Sequence, residues 1–349
     1  MRAVTVLPGV PHSIQLDDIA EPPLSDGAIL VRTRALGICG TDHEILDGLY
    51  GSAPSGAERL VLGHESLGIV EAAPQGCGFS VGDPIVGIVR RPDPLPCPSC
   101  AAGEWDMCRN GAFTERGIKD RHGFGSERFR IEPDFAMSVD RDLGLAGVLM
   151  EPASIVAKAW DHVERVGRRS QAWAAGNLLV TGAGPIGLLA AMMGSQRNLE
   201  LHVLDRHTDG PKPALIRDLG GVHHASPQSL RDLRFDIVME CTAAPALVAE
   251  SIGRCAPSGI VCLLGVSASG QKTEFDIGGF NRKLVLGNEV VFGAVNANRS
   301  HYRQAADALA RADRSWLDRL ITRRVPLSQW RDAFTRRADD IKVVLEFLD

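Results

Sequence analysis

Three kinds of side chain that bind transition metals stand in turn-like segments of the first half of the chain. They are Cys39 in Gly-Ile-Cys-Gly-Thr-Asp, His64 and Glu65 in Gly-His-Glu, and Glu151 in Met-Glu-Pro. Thiolate, imidazole and carboxylate are the ligand types that zinc prefers. Each residue also has an ordinary structural explanation, because a free cysteine is commonly a small buried hydrophobe, a histidine can be satisfied in a core and an acid can begin a helix. Spacing alone leaves both explanations open.

A second group of thiols lies further along the chain. Three of the eight cysteines, Cys97, Cys100 and Cys108, fall within twelve residues. In a cytosolic protein of this size, clustered cysteines suggest a metal site more than disulfides. The surrounding segment, residues 91–121, has little apolar periodicity, and a long irregular excursion of that kind points to a functional or metal-bound loop.

A glycine fingerprint in the second half predicts a dinucleotide site. The pattern G-x-G-x-x-G directly follows the apolar run 177–181 and opens a helix; its predicted cofactor-binding residues are Gly182, Gly184, Pro185, Ile186 and Gly187. The first glycine permits a tight turn, the second lets the backbone approach a pyrophosphate, and the third allows close packing of helix on strand. The helix N-terminus then presents free N–H groups to the phosphates.

The end of the next predicted strand bears on the choice of cofactor. Asp205 lies 18 residues after Gly187, where an acid accepts hydrogen bonds from the adenosine ribose hydroxyls and favours NAD. Arg206 and His207 follow immediately, and a guanidinium there could pair with the 2′-phosphate of NADP. The two signals conflict. They favour NAD slightly and leave use of both cofactors open.

Two patterns of secondary structure must position these groups. Residues 1–150 contain short β-prone runs and many Gly and Pro residues, which predicts a β-rich domain with long loops. After Glu151, predicted strands alternate with helices at 155–166, 177–181, 187–195, 199–204, 214–219, 235–240, 246–254, 260–265 and 289–294. We therefore predict an α/β protein with a doubly wound parallel sheet. We expect residues 1–154 and 296–349, which end in a predicted strand at 342–347, to form one domain, and residues 155–295 to form a Rossmann domain.

Composition excludes several classes of partner. The chain has 349 residues with 44% hydrophobic and 23% charged residues and a formal net charge of −5. Without a cluster of Lys and Arg, the electrostatic signature of a nucleic-acid binder is missing. Residues 1–11 lack a cationic start followed by an apolar run, and 18 consecutive apolar residues occur nowhere. We expect a cytoplasmic protein that binds neither nucleic acid nor membrane.

Further motifs relate the chain to a known family. Gly63-His-Glu followed by Gly68-Ile-Val resembles the G-H-E-x-x-G-x-V motif of the zinc-containing medium-chain dehydrogenases/reductases. Val81-Gly-Asp-Pro-Ile-Val resembles the V-G-D-x-V segment of that family, and Cys39-Gly-Thr-Asp resembles its ligand loop. The resemblance covers essentially the whole chain. It implies a GroES-like catalytic domain, a Rossmann domain, zinc and NAD or NADP.

The resemblance also assigns roles to residues. Cys39, His64 and Glu151 match zinc-ligand positions, and Glu65 matches a second acid that ligates the metal in some states. Thr41 matches the hydroxyl that begins a proton relay. In such a site zinc lowers the pKa of a bound alcohol, which then expels hydride to the nicotinamide.

The thiol group of residues 97–108 resembles the structural zinc lobe of the same family, which usually has four cysteines. The position three residues before Cys97 is Pro94, whose side chain cannot ligate, although the adjacent Asp93 could supply an oxygen. Structural zinc strongly favours thiolates. Three alternatives follow: a zinc site completed by Asp93, a weak site of Cys97, Cys100 and Cys108, or a lobe held by packing.

Within the family, several residues resemble glucose and other aldose dehydrogenases. Glu115 and Asn296 match positions that bind sugar hydroxyls, and a carboxylate and an amide suit that task. With Thr41 and Glu151 they are the predicted substrate residues. Val89 and Ile155 depart from the pattern, because polar groups stand there in some relatives. Both changes remove a hydroxyl partner.

Other functions remain open from the residues. A polyol or secondary-alcohol dehydrogenase would use the same zinc chemistry, whereas a zinc-lacking, NADPH-binding quinone-reductase relative or a redox-sensing module would need the predicted ligands to be structural. The family resemblance implies a homodimer or homotetramer, with an edge strand near 285–294 as the expected contact.

Overall fold

The fold is that of a computed structural model, which describes residues 1–267, 270 and 272–347. Contacts between Cα atoms divide the chain into two compact units. The first comprises Met1–Ser154 and Asn296–Asp349, and the second comprises Ile155–Val295. Residues 348 and 349, the last of the expected C-terminal segment, lie outside the described residues.

The first part of the chain is built mainly from short strands. In order, its elements are β1 (Arg2–Val6), β2 (Gln15–Asp18), β3 (Ile29–Ile38), α1 (Gly40–Leu46), β4 (Leu60–Val61), β5 (Glu65–Ala72), β6 (Pro84–Gly87), β7 (Arg90–Arg91), α2 (Pro98–Ala101), β8 (Thr114–Arg116), β9 (Asp120–Arg121), β10 (Arg128–Ile131), β11 (Ala136–Ser138) and α3 (Met150–Gly167).

Strands and helices alternate in the middle of the chain. The elements are β12 (Asn177–Thr181), α4 (Pro185–Ser195), β13 (Glu200–Leu204), α5 (Pro211–Asp218), β14 (Val222–His224), β15 (Phe235–Glu240), α6 (Pro245–Gly253), β16 (Cys255–Leu263), α7 (Ile277–Gly287) and β17 (Val290–Gly293). The C-terminal part contains α8 (Arg299–Ala310), α9 (Arg314–Leu320), β18 (Ile321–Pro326), α10 (Trp330–Ala333) and β19 (Lys342–Glu346).

The largest sheet of the first unit joins the two ends of the sequence. Its strand order is β11-β6-β5-β3-β19-β18, and β10 also pairs with β3. The antiparallel register sets Gly37 of β3 opposite Glu65 of β5, and Ile38 of β3 opposite Val343 of β19. The end of β3 and the starts of β5 and β19 therefore lie at one place in the sheet, where side chains distant in sequence can meet.

Close packing at this place requires glycine before His64. Gly63 has φ +93°, and a Cβ there would lie 2.5 Å from a side-chain carbon of Leu36, which is fully buried. An L side chain would be strained by the backbone conformation as well as by the contact. Leu36 belongs to a core with Val31, Leu62 and Phe124 that supports the sheet.

The second unit contains one parallel sheet. Its strand order is β14-β13-β12-β15-β16-β17, and each neighbouring pair is parallel. The order places the first strand of the unit next to the middle of the sheet, with the chain winding outward in both directions, which is the doubly wound Rossmann arrangement. The expected fold class is confirmed.

Several elements differ from their predicted bounds. α5 begins at Pro211 rather than near residue 214, because Gly210 occupies the N-cap and proline is favoured in the first helical turn. β16 begins at Cys255, five residues before its predicted start. Neither β14 nor α7 was expected. β14 is only three residues long and contains two histidines, and α7 buries none of its residues, so neither shows a clear apolar period.

One helical stretch, Arg141–Gly167, is long and apolar enough to cross a membrane by length and composition. Its most apolar window of 18 residues has a mean hydropathy of 1.2, but 83% of that window is buried inside the protein. A buried core helix passes the same test of length and composition, so the stretch is weak evidence for a membrane span.

Candidate metal and dinucleotide sites

Cys39, His64 and Glu65 come together in the first unit. One ligand atom from each of the three side chains lies within 4.8 Å of the other two. Cys39 follows β3 as the N-cap of α1, and Glu65 begins β5, so the β3–β5 pairing brings them close. His64 and Glu65 are buried, with exposures of 4% and 1%. The pairing of β5 with β3 therefore brings three of the predicted ligands together.

Asp42 orients the imidazole of this group. Its Oδ1 lies 3.5 Å from His64 Nδ1, and both side chains are buried. Its Oδ2 accepts a hydrogen bond of 2.8 Å from the Cys39 amide. Although burial alone would lower the pKa of His64, the Asp42 carboxylate raises it well above its ordinary value. A carboxylate at Nδ1 leaves Nε2 for a metal, the arrangement that favours metal binding by histidine.

Lys342 compensates the charge of Glu65. Its ammonium group donates to Glu65 Oε1 at 2.6 Å and to Oε2 at 2.5 Å, and both side chains are almost completely buried. It also donates to the Ile38 carbonyl at 3.2 Å. The Glu65 carboxylate is thus held by a lysine, and a metal ligated by Glu65 would share it with that lysine.

Glu151 and Thr41 border the same group. Glu151 lies in the first turn of α3 and is 6% exposed, and burial raises the pKa of its carboxyl group while the charges of His64 and Lys342 oppose that rise. It does not belong to the compact set formed by Cys39, His64 and Glu65. Thr41 lies in the first turn of α1, two residues after Cys39, and is half-buried.

The residues present fit zinc. A thiol, an imidazole and a carboxylate each offer one ligand atom within 4.8 Å of the others. His64 and Glu65 are buried, and a buried cluster of polar and charged groups is costly unless its members have partners. Zinc prefers this donor set, and its charge would compensate the nearby acids.

Glu115 and Asn296 also meet in the first unit. Glu115 Oε1 accepts a hydrogen bond of 2.6 Å from Asn296 Nδ2, and two more from Arg90 at 3.1 and 3.0 Å. The pairing of β7 with β8 sets Arg90 directly opposite Glu115. Asn296 adopts φ 63°, a left-handed conformation that asparagine tolerates. Two predicted substrate residues are therefore hydrogen-bonded partners.

The three clustered thiols are brought together as well. One sulfur from each of Cys97, Cys100 and Cys108 lies within 4.8 Å of the others. Asp93 is not part of this set: its Oδ1 accepts a hydrogen bond of 2.8 Å from the Leu95 amide and caps the loop. The thiols are thus arranged for a metal, whereas the Asp93 carboxylate, the possible fourth ligand, accepts a hydrogen bond from the backbone.

The dinucleotide fingerprint connects β12 to α4 in the second unit. Gly182 has φ +90°, and a Cβ at Gly187 would lie 1.8 Å from the Gly182 carbonyl oxygen, so both positions require glycine. A Cβ at Gly184 would meet nothing within 4 Å, which leaves open space for a phosphate beside the backbone. Gly184 is the N-cap of α4, Pro185 and Ile186 begin the helix, and its first amides have no intrahelical partner. The loop fits a pyrophosphate.

A cavity of about 420 Å³ adjoins this loop. The residues lining it come from the ends of parallel strands and the segments after them; they include Gly182, Gly184, Asp205, Arg206, His207 and Thr242. In open α/β sheets ligands bind at the carboxyl ends of the strands, where the strand order reverses. The cavity therefore lies where an adenosine moiety is expected.

The models of two protein families match successive parts of the chain and together cover nearly all of it. Residues 25–141 match the alcohol dehydrogenase GroES-like domain, and residues 144–347 match the glucose dehydrogenase C-terminus. The chain belongs to the glucose dehydrogenase branch of the medium-chain dehydrogenases. Members of this branch are NAD(P)-dependent dehydrogenases, and the predicted enzyme class is confirmed.

Individual relatives agree with that assignment. Glucose 1-dehydrogenase 2 of Vulcanisaeta moutnovskia is 37% identical over 353 residues, which cover 100% of this chain and 99% of that protein. Glucose 1-dehydrogenase 1 of Caldivirga maquilingensis is 39% identical over 352 residues, with 99% of each chain covered. The glucose dehydrogenase of Haloferax mediterranei, solved in complex with NADP, Zn and gluconolactone, has a TM-score of 0.91 at 31% identity, and the match covers 100% of both chains.

Sequence reasoning missed three residues that this dehydrogenase places beside the predicted ones. Asp42 stands inside the ligand loop Cys39-Gly-Thr-Asp but received no role, and Arg90 received none either. Lys342 begins an otherwise apolar strand, Lys-Val-Val-Leu-Glu, and a lysine in a run predicted to be buried was a signal for a charge partner. The partner itself could not be found from sequence, because Glu65 lies 277 residues away.

Proposed function

We propose that this dehydrogenase oxidises the C1 hydroxyl of an aldose, D-glucose or a closely related sugar, to the lactone, with NADP or NAD as hydride acceptor. The observation that carries the proposal is the full-length match to the Haloferax mediterranei enzyme, which was solved with NADP, Zn and gluconolactone. The hydrogen-bonded pair of Glu115 and Asn296 supports a substrate rich in hydroxyl groups.

Cys39 and His64, with Glu151 or Glu65 as the acid, are the proposed ligands of the catalytic zinc. When bound, zinc supplies a Lewis acid that lowers the pKa of the substrate hydroxyl. Asp42 holds the His64 ring in the orientation that frees Nε2. Lys342 holds the Glu65 carboxylate in place, so exchange of the two acids as the zinc ligand would require Glu65 to leave its lysine.

Thr41 is the proposed first acceptor of the proton that leaves the substrate. Its position in the first turn of α1, two residues after Cys39, sets a hydroxyl beside the ligand loop. A hydroxyl can accept one proton while donating another, so it can pass the proton towards the cofactor ribose and solvent without becoming charged for long. Its half-buried position suits such a relay.

Glu115 and Asn296 are the proposed sugar-binding groups. The hydrogen bonds that the Glu115 carboxylate accepts from the described residues all end on Oε1, so Oε2 can accept from sugar hydroxyls. Arg90 neutralises the carboxylate and fixes its plane. A site whose polar groups would be left unpaired by a deoxy analogue rejects that analogue strongly.

The test is reduction of NADP and NAD at 340 nm with D-glucose, other aldoses, polyols and secondary alcohols. It is run before and after dialysis against a zinc chelator, and again after zinc is restored. We expect chelator-sensitive oxidation of an aldose and formation of its lactone. If polyols were oxidised and aldoses were not, the substrate class would be polyols instead of aldoses. Activity that survives complete loss of zinc would contradict the metal mechanism.

We also propose a homodimer or homotetramer in the cytoplasm. β17 is the outer strand of its sheet, and exposed apolar side chains on the preceding helix, Val285 and Leu286, support an interface there. All eight cysteines are free thiols, which supports a reducing compartment. The candidate structural zinc on Cys97, Cys100 and Cys108 remains a proposal, and metal analysis of the purified enzyme would test it.

A further inference from the structure

The carboxylate of Asp205 is almost fully engaged by the protein itself. Its Oδ1 accepts a hydrogen bond of 3.0 Å from the His207 amide and one of 2.7 Å from His207 Nδ1. Its Oδ2 accepts a hydrogen bond of 2.8 Å from the Ala183 amide. Since a carboxylate oxygen has about two acceptor sites, only Oδ2 keeps one for a ligand. Asp205 therefore has little capacity to bind both ribose hydroxyls of NAD.

Lys212 supplies the charge that balances this carboxylate. Its Nζ lies 4.0 Å from Asp205 Oδ2, and the two side chains are each only 10% exposed. Its Nζ is also 3.4 Å from His207 Nδ1. That nitrogen carries a proton, because it donates to an acceptor-only carboxylate, so it cannot also accept from an ammonium group. The attraction of Lys212 is consequently directed to Asp205.

The acid is ionised in this environment. Although burial alone would raise the pKa of Asp205, the amides of Ala183 and His207, the His207 ring and the charge of Lys212 together hold that pKa below its ordinary value. An ionised acid without a counter-charge would repel a phosphate on the adjacent ribose. Because the Lys212 ammonium group lies 4.0 Å from its Oδ2, Asp205 and Lys212 form a pair with no net charge.

Lys212 acts from outside the cavity. It is the second residue of α5, and it is absent from the described residues that line the 420 Å³ cavity, whereas Asp205, Arg206 and His207 line it. Once the Asp205 charge is balanced, the exposed guanidinium of Arg206 gives this corner of the cavity a net positive charge. A doubly charged 2′-phosphate then meets a favourable field although an acid stands at the end of β13.

We propose that Lys212 is a positioning residue that lets this dehydrogenase accept 2′-phosphorylated cofactor, by neutralising Asp205 from outside the cavity. The inference rests on the proposed dehydrogenase function. Acceptance of the 2′-phosphate then depends on the nearly buried charge pair of Asp205 and Lys212. It also depends on the exposed Arg206, whose positive charge the pair does not cancel.

The test measures binding of two probes that differ only in the 2′-phosphate. Calorimetric titration of the holoenzyme with adenosine 5′-monophosphate and with adenosine 2′,5′-bisphosphate gives two dissociation constants without turnover. For Lys212→Met we expect the constant for the bisphosphate to rise by about ten-fold, and that for the monophosphate to change by less than about three-fold. Lys212→Arg should restore most of the bisphosphate affinity, and Lys272→Met, which removes an exposed lysine of the same unit, should change neither constant.

A double-mutant cycle separates neutralisation of Asp205 from direct phosphate binding. If Lys212 acts through the acid, Lys212→Met should have little effect on bisphosphate binding in an Asp205→Ser background. An equal ten-fold effect in both backgrounds would mean direct contact with the phosphate and would overturn the inference. Equal weakening of both probes by Lys212→Met, with thermal unfolding unchanged, would overturn it as well. Failure of the unmodified enzyme to bind either probe would overturn the proposed cofactor site itself.

Discussion

Lys342 Nζ lies 2.6 Å from Glu65 Oε1 in the interior of the first unit, where neither side chain is more than 2% exposed. The pair links the first residue of β5, Glu65, to the first residue of β19, Lys342. It fixes an acid beside Cys39 and His64, and its two members must be considered together in any test of either.

Removal of the lysine should destabilise the fold. Lys342→Met leaves the Glu65 carboxylate buried without its counter-charge, and loss of one partner of a buried pair costs about 3–5 kcal/mol. Urea unfolding of the zinc-loaded enzyme measures the loss. The double variant Lys342→Met/Glu65→Gln should recover most of it, because no unpaired charge remains. A loss below about 0.5 kcal/mol in the single variant would show that the pair is not buried as described.

Cys39→Ser should remove metal and hydride transfer together. A serine hydroxyl is a much weaker zinc ligand than a thiolate, and the rest of the cluster cannot replace it. Zinc per chain and activity should fall together, while the far-ultraviolet circular dichroism stays the same. Cys77→Ser, a half-buried cysteine outside both thiol groups, is the matched control. Full activity in Cys39→Ser would rule out the zinc mechanism.

Asp205→Ser should shift cofactor preference towards NADP. The substitution removes the negative charge next to the ribose, and loss of that repulsion favours the 2′-phosphate. The ratio of kcat/KM for NADP to that for NAD measures the shift, and we expect a rise of about ten-fold. Asp209→Ser, an exposed acid four residues further on, should leave the ratio as it is. An unchanged ratio in Asp205→Ser would remove the acid from cofactor selection.

Glu132 should contribute to stability in a pH-dependent manner. Burial alone would raise its pKa, but hydrogen bonds and charges from Arg91 and Arg121 lower the pKa of Glu132 from 4.5 to about 2. Because the folded-state pKa is below the unfolded value, the contribution is fully present above about pH 4.5 and is lost as the pH falls through about 2. Urea midpoints from pH 7 to pH 2 should therefore fall less steeply in Glu132→Gln than in the unmodified protein. The exposed Glu104→Gln should keep the original slope, and parallel curves for all three proteins would contradict the prediction.

Local sequence signals predicted the fold class and the groups of the candidate sites. The fingerprint glycines at 182, 184 and 187 act within one turn, so their pattern is legible without the rest of the structure. The ligand loop and Gly-His-Glu were recognisable for the same reason. The exact bounds of the elements could not be predicted as well. For example, β16 starts where its pairing with β15 begins rather than where its apolar run begins.

Charge compensation could not be predicted in the same way. The lysine that compensates Glu65 is 277 residues distant, and Arg90, which compensates Glu115, is 25 residues distant on another strand. Asp205 and Lys212 are near in sequence, but no sequence pattern marks Lys212 as a buried residue. Only the structure shows that its ammonium group turns towards the acid and is nearly buried. Which groups balance a buried charge depends on tertiary contacts that composition and spacing do not record.

The place of β19 between β3 and β18 in the largest sheet of the first unit also sets an order of events during synthesis. Residue 65 leaves the ribosome 277 residues before its lysine does, which at 5–20 residues per second is a delay of roughly 15 to 55 s. The contiguous segment 155–295 is translated completely within that interval and can fold first. The candidate zinc site therefore cannot acquire the lysine that holds Glu65 until after the segment 155–295 has been made.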